Sequence, residues 1–109
     1  MIRVKIDMTD FVLDMEGHAE APREGEYDLV CCAASTIGQL LLYSLEEYKD
    51  RHAGDLKIEE GMESGKMHIR AKAKEWARVS ILQRYRMIRE GFEMLQERYP
   101  EYIALYEED

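Results

Sequence analysis

Residues that carry nucleophilic and proton-transfer chemistry crowd into one stretch, with His18 at its start, Cys31 and Cys32 side by side, Ser35 at its end and Asp28 between. A thiol becomes a nucleophile when its proton is taken by a neighbouring imidazole or when local positive potential favours the thiolate. Asp28 stands where a helix N-cap would stand, three residues before Cys31, which predicts Cys31 in the first helical turn, near free N–H groups and the positive end of the macrodipole. Ser35 follows Cys31 by four residues and falls on the same helical face, where its hydroxyl can bond the histidine or a backbone carbonyl. Spacing alone leaves a Cys-His pair open against buried core cysteines and a strand-end histidine.

The elements that position these residues are legible as periodicities. Ile2, Val4, Ile6 and Met8 alternate with Arg3, Lys5 and Asp7, the period of a strand with one buried face. Thr9 and Asp10 supply a turn, and Phe11 to His18 alternates again, making a hairpin that delivers His18 at its end beside Gly17, where another backbone can approach closely. Residues 19–27 carry Pro22, Gly25 and no apolar pattern, and read as a surface loop placed to act as a lid. Val30, Ala34, Ile37, Leu41, Leu45 and Tyr48 recur at threes and fours, predicting an amphipathic helix over residues 29–50, with Ala33, Ala34 and Gly38 small enough for close packing on a sheet.

A second hairpin follows, with strands at Leu56 to Glu60 and Met67 to Lys72 around a loop over residues 61–65. Ala77, Ile81, Tyr85, Ile88, Phe92, Leu95 and Tyr99 then mark a long helix ended by Pro100. Residues 101–109 read as a further helical turn or an edge strand. The whole predicts one α+β domain over residues 1–109: a mostly antiparallel four-stranded sheet in the order strand-strand-helix-strand-strand-helix, with both helices on one face. Trp76 and the tyrosines of the last helix are expected in the core or a dimer interface.

Composition narrows the function. A net charge of −8 disfavours nucleic-acid phosphates and suits a cationic peptide or protein partner. Residues 1–64 hold 15 acids against 6 bases, while residues 66–89 hold 8 bases against Glu75 alone, which reads as a solvated basic helix face. The alternating N-terminus has no apolar signal core and no later run approaches a membrane span, so a cytoplasmic protein with no membrane contact is expected. Adjacent cysteines are thiols, because a disulfide between neighbours needs a strained ring. His52 and His68 have no partner at ligand spacing, so they read as surface residues, and neither metal nor cofactor is expected.

The segments Gly17-His18-Ala19 and Tyr27-Asp28-Leu29-Val30-Cys31, followed by Cys32, the two small residues Ala33 and Ala34, and Ser35, resemble the signature of the ribosomal-processing cysteine protease family. Chain length, element order and an acidic C-terminus are compatible with it. The resemblance implies a homodimeric, cytoplasmic endopeptidase that removes the N-terminal extension of large-subunit ribosomal protein twenty-seven, cutting after an aromatic pair. On this implication Cys31 is the nucleophile and His18 the general base, with Asp28 and Ser35 as flanking polar residues. Cys32 departs from the pattern, which usually has alanine there, and is expected to pack inward as an inert second thiol. The competing readings are a non-enzymatic acidic module that docks on a ribosomal protein or assembly intermediate, and a redox or metal site built on Cys31 and Cys32.

Overall fold

The computed structural model describes residues 1–17, 24–63 and 65–108, with the backbone alone described for 24–28 and 108. Strands β1 (Ile2–Asp7) and β2 (Val12–Glu16) form the first hairpin, helix α1 (Glu24–Arg51) follows, and β3 (Leu56–Glu63) and β4 (Lys66–Ala73) form the second. A short 3-10 turn at Glu75–Ala77 leads into α2 (Arg78–Arg98), and β5 (Ile103–Glu108) closes the chain. The class is α+β as the periodicities predict, but the sheet has five strands rather than four, in the order β3-β4-β2-β1-β5. The acidic tail is the added edge strand, pairing parallel to β1 with Ile2 opposite Ile103, while the other pairings are antiparallel.

One sheet face carries the core. Ile2, Val4 and Ile6, then Leu13 and Met15, then Met67, Ile69 and Ala71 are buried against the inward sides of both helices, Val30, Ala34, Leu41 and Leu45 on α1 and Ile81, Tyr85, Ile88, Phe92 and Leu95 on α2. Each buried aliphatic or aromatic side chain contributes on the order of 1.5–3 kcal/mol, so this layer is what holds helix to sheet. Gly38 lets α1 settle onto β4, since a Cβ there would lie 2.4 Å from Met67 Sδ. Gly91 faces Ile37 across the helix pair and does not interrupt α2.

The opposite face has no helix. Its cross-strand rows alternate acidic with basic side chains, Glu63–Lys66–Glu16–Arg3 in one and His68–Asp14–Lys5 in the next. Opposite charges directly across a ladder stabilise a solvated face modestly. Trp76 is 72% exposed, so of the two places expected for it, core or dimer interface, the core is excluded; the 3-10 turn holds it outside the helix stripe, and Ala77 is the buried member there. Helix α1 also corrects the expectation that no run approaches a membrane span, because an 18-residue window within Leu29–Arg51 reaches a mean hydropathy of 1.4, enough by length and composition alone. Its inward stripe belongs to the core layer described above.

Candidate active site

The two hairpins end together beside the N-terminal half of α1. Gly17 donates its N–H to the carbonyl of Gly65 at 2.9 Å, tying the end of β2 to the start of β4. A Cβ on Gly17 would come within 2.7 Å of Ile2 Cα and of the Met1 carbonyl, so only glycine lets the chain leave the sheet here, as the close-approach reading of this residue anticipates. The helix side of this corner is a cleft of about 200 Å³ lined by Cys31, Ala34, Ser35 and Gln39 of α1, Gly17, and residues of the four strands β1 to β4. Cys31 and Ser35 are both half-buried and one helical turn apart, as the four-residue spacing predicts.

The walls opposite the thiol are apolar and deformable. Met15, Met62 and Met67 converge from β2, β3 and β4, and Glu16, Glu63 and Lys66 supply polar groups at the rim. Met15 and Met67 were legible as inward strand positions, whereas Met62 lies in what reads from sequence as a loop over residues 61–65. The strand β3 runs on to Glu63, paired with Lys66 of β4, with Gly65 at φ 77°, and Met62 is brought to the cleft.

His18 and the first part of the lid expected at residues 19–27 lie outside the described residues. Gly17, the residue before His18 in the chain, lines the same cleft as Cys31. The structure corrects the placement of Asp28 and Cys31 within α1. The helix begins at Glu24, so Asp28 is not its N-cap, and Cys31 sits about two turns inside, where backbone N–H groups are taken up by carbonyls four residues back. Thiol activation by a first-turn dipole therefore has no basis here, and the burden falls on a side-chain base. Cys32 is a second correction: its thiol is exposed rather than packed inward, because the inward stripe of α1 passes through Val30 and Ala34 and leaves position 32 on the outer side. Its carbonyl accepts a bond from the Thr36 hydroxyl at 2.8 Å.

The other histidines stand apart. His52 stacks on Tyr48 with ring centroids 4.4 Å apart. His68 projects from the bare sheet face, with its Nδ1 2.5 Å from Asp14 Oδ1, and the two are half-exposed. That face has the larger hollow, about 1070 Å³, lined by Arg3, Lys5, Asp14 and His68 among others, and among the described residues its lining has no cysteine or serine. Open and charge-paired, it is a poorer place for covalent chemistry than the smaller cleft. Among the described residues no group of three or more His, Cys, Asp or Glu side chains could hold a metal ion.

The cleft thus combines a half-buried thiol, a hydroxyl one turn away and a soft apolar wall. No curated protein matches the chain. Among solved structures it is similar to an essential ribosomal processing protease Prp from S. aureus in complex with a substrate peptide, with 21% identity, a TM-score of 0.71, and coverage of 99% of this chain and 100% of that one. It is likewise similar to the S. aureus protease with a covalently linked product peptide, at 23% identity and a TM-score of 0.70, covering 99% and 100% of the two chains. A third similar structure, SMU.848 from Streptococcus mutans, has 18% identity and a TM-score of 0.67 over 97% of this chain and 90% of that one. The family described as cysteine protease Prp matches residues 1–104, almost the full length, and the chain therefore belongs to the Prp family of cysteine proteases.

Proposed function

We propose that this cysteine protease acts in ribosome maturation, with Cys31 as nucleophile and His18 as general base, and that it removes the N-terminal extension of large-subunit ribosomal protein twenty-seven after an aromatic pair. The observation that carries this reading is the cleft, in which Cys31, Ser35 and Gly17, the chain neighbour of His18, line one hollow. The substrate and product peptides described for the S. aureus relatives support a peptide as its occupant. Met15, Met62 and Met67 suit aromatic side chains, since thioethers pack against ring edges and adapt to their shape. The net charge of −8 favours approach of a basic ribosomal segment.

In this mechanism the Cys31 sulfur adds to the scissile carbonyl carbon while His18 accepts the thiol proton. The C–N bond breaks as His18 returns that proton to the leaving amine, leaving the acyl half on Cys31 as a thioester. Water, deprotonated by His18, hydrolyses the thioester and restores the thiol. Ser35 and Asp28 serve as positioning residues, Ser35 from one turn along the same face of α1. The enzyme works as a cytoplasmic homodimer, with exposed Trp76 as an apolar anchor for the interface.

Mass spectrometry of a peptide spanning the extension tests this. Wild type and Cys32→Ala cleave it, whereas Cys31→Ala and His18→Ala lose activity by at least about 10⁴-fold while still binding the peptide. Binding without cleavage by any of the four proteins would replace the peptidase with a docking module.

A further inference from the structure

Among the described residues the Cys31 cleft shares the seam between α1 and β3 with a second hollow. It ends on Met62 and Glu63, and the second hollow, about 320 Å³, is lined by Glu46, Lys49 and Asp50 of α1 with Ile58 and Glu60 of β3. Ile58, Glu60 and Met62 are alternate residues of one strand and so share its helix-side face, forming a continuous floor. On α1 the matching wall runs through Cys31, Ser35, Glu46 and Lys49, which share one side of the helix by their spacing. From Cys31 to Glu46 the helix advances about 22 Å, the span of about six or seven residues of extended peptide.

The strand that floors this seam is an open edge. At the sheet's other edge α2 caps one strand N–H, with Gln96 accepting the Leu105 N–H at 2.6 Å. Among the described residues, β3 is bonded along its length only on the β4 side. An unpaired strand edge is a template for an added strand, which binds by main-chain hydrogen bonds and is sorted by side-chain pockets. The pocket at the far end of this edge holds three exposed carboxylates, Glu46, Asp50 and Glu60, against one ammonium, Lys49. Such an edge repels acidic strands and admits a cationic one.

We infer that the α1–β3 seam is the specificity channel of the protease: it holds substrate as an extended strand against β3, with a Lys or Arg side chain about five to seven residues from the scissile bond received by Glu46, Asp50 and Glu60. This rests on the peptidase reading of Cys31, and it adds a requirement that the thiol alone does not impose. The cationic residue is attracted before and during docking, so the effect is on kcat/KM and fades with salt.

The test uses peptides that share a Phe-Phe cleavage site and differ only in carrying Lys, Ser or Glu at that distance, in sets placing the probe on either side of the scissile bond. Cleavage is measured with wild type, and binding by fluorescence anisotropy with Cys31→Ala. For one of the two sets, wild type prefers Lys over Glu by about tenfold or more in kcat/KM at low salt, the ratio shrinks at high salt, and Glu60→Lys with Glu46→Lys reverses it. Equal cleavage and equal binding of the Lys, Ser and Glu peptides in both sets would overturn the channel while leaving the peptidase intact. Cleavage of none, with binding still graded Lys over Ser over Glu and reversed by the double charge change, would sink the peptidase and keep the seam as a cationic-peptide site; binding of none would overturn the seam as well.

Discussion

The two ends of the sheet are built on opposite principles. At the β1–β2 turn every element is fastened to another. Asp7 Oδ1 accepts the N–H groups of Thr9 and Asp10 at 2.9 and 3.0 Å, and Arg78 reaches back from α2 to the Thr9 carbonyl at 2.8 Å. Phe11, held at φ 55°, is buried between the Arg78 guanidinium, 4.5 Å above its ring, and Tyr85, whose ring centroid is 5.5 Å away. Its carbonyl accepts both the Tyr85 hydroxyl at 2.7 Å and the Ala71 N–H at 3.0 Å. At the other end Gly17 and Gly65 meet through one backbone bond beside a methionine-walled cleft with a half-buried thiol. The difference teaches that stability and reactivity are separated along the strands. A positive φ on a phenylalanine costs on the order of 1 kcal/mol, which the closed end offsets with a packed aromatic pair, while the open end leaves room for a substrate.

The largest expected break in that comparison is at Phe11. Phe11→Ala removes a wholly buried ring from the closed end and costs about 3–5 kcal/mol in urea unfolding, yet kcat/KM measured well below the melting midpoint stays within about twofold. Cys31→Ala does the reverse, abolishing cleavage with stability changed by less than about 0.5 kcal/mol. If Phe11→Ala lost activity in proportion to stability while folded, the two ends would not be separable.

A smaller change sharpens the same contrast through pH. Burial pushes the Tyr85 hydroxyl well above its ordinary value of 10.0. Tyrosine is neutral when protonated, so a raised folded value means the native state keeps its proton where the unfolded chain gives it up. The contribution is full below about pH 10 and is lost as pH rises beyond it, by up to about 1.4 kcal/mol per pH unit. Tyr85→Phe should therefore cost about 1 kcal/mol at pH 7.5, a modest loss because Ala71 still bonds the Phe11 carbonyl, and the gap to wild type should close near pH 11. Urea melts of both proteins at the two pH values give the comparison, and a gap that widens with pH would contradict the buried-hydroxyl account.

The closed end was the more legible in the sequence, because periodicity carries it. Val4 and Ile6 against Leu13, and Ala77, Ile81 and Tyr85 leading into and along the start of α2, are repeating patterns that burial alone produces, and all are in the core. The open end depends on things periodicity does not encode. The start of α1 at Glu24 has neither a cap pattern nor an apolar stripe in its first turn, so Asp28 looked like the cap and Cys31 like a first-turn residue. Met62 looked like loop because outward glutamates and Gly61 hide the strand's alternation, and only pairing with β4 extends β3 to Glu63. For residues 101–109 the sequence leaves a helical turn and an edge strand open, and the edge strand is the one formed, through a parallel register between Ile2 and Ile103 that no local pattern encodes. His18 is legible as a base at the end of the first hairpin, and its chain neighbour Gly17 lines the cleft.

The smallest expected effect comes from comparing two neighbours within the open end itself. Cys31 and Cys32 are consecutive, so the helix turns their side chains about 100° apart, and one thiol enters the cleft while the other faces outward. That angle keeps them from forming a disulfide without breaking the helix. Cys32→Ser should change stability by less than about 0.5 kcal/mol and cleavage by less than about twofold, because the side chain packs against nothing in the core. The two thiols should then separate by reagent: a bulky maleimide modifies Cys32 with activity retained, and iodoacetamide inactivates by modifying Cys31. A bound substrate peptide protects Cys31 alone. Peptide mapping after each treatment decides it, and loss of activity that tracks modification of Cys32 would move the chemistry out of the cleft and onto the outer face of α1.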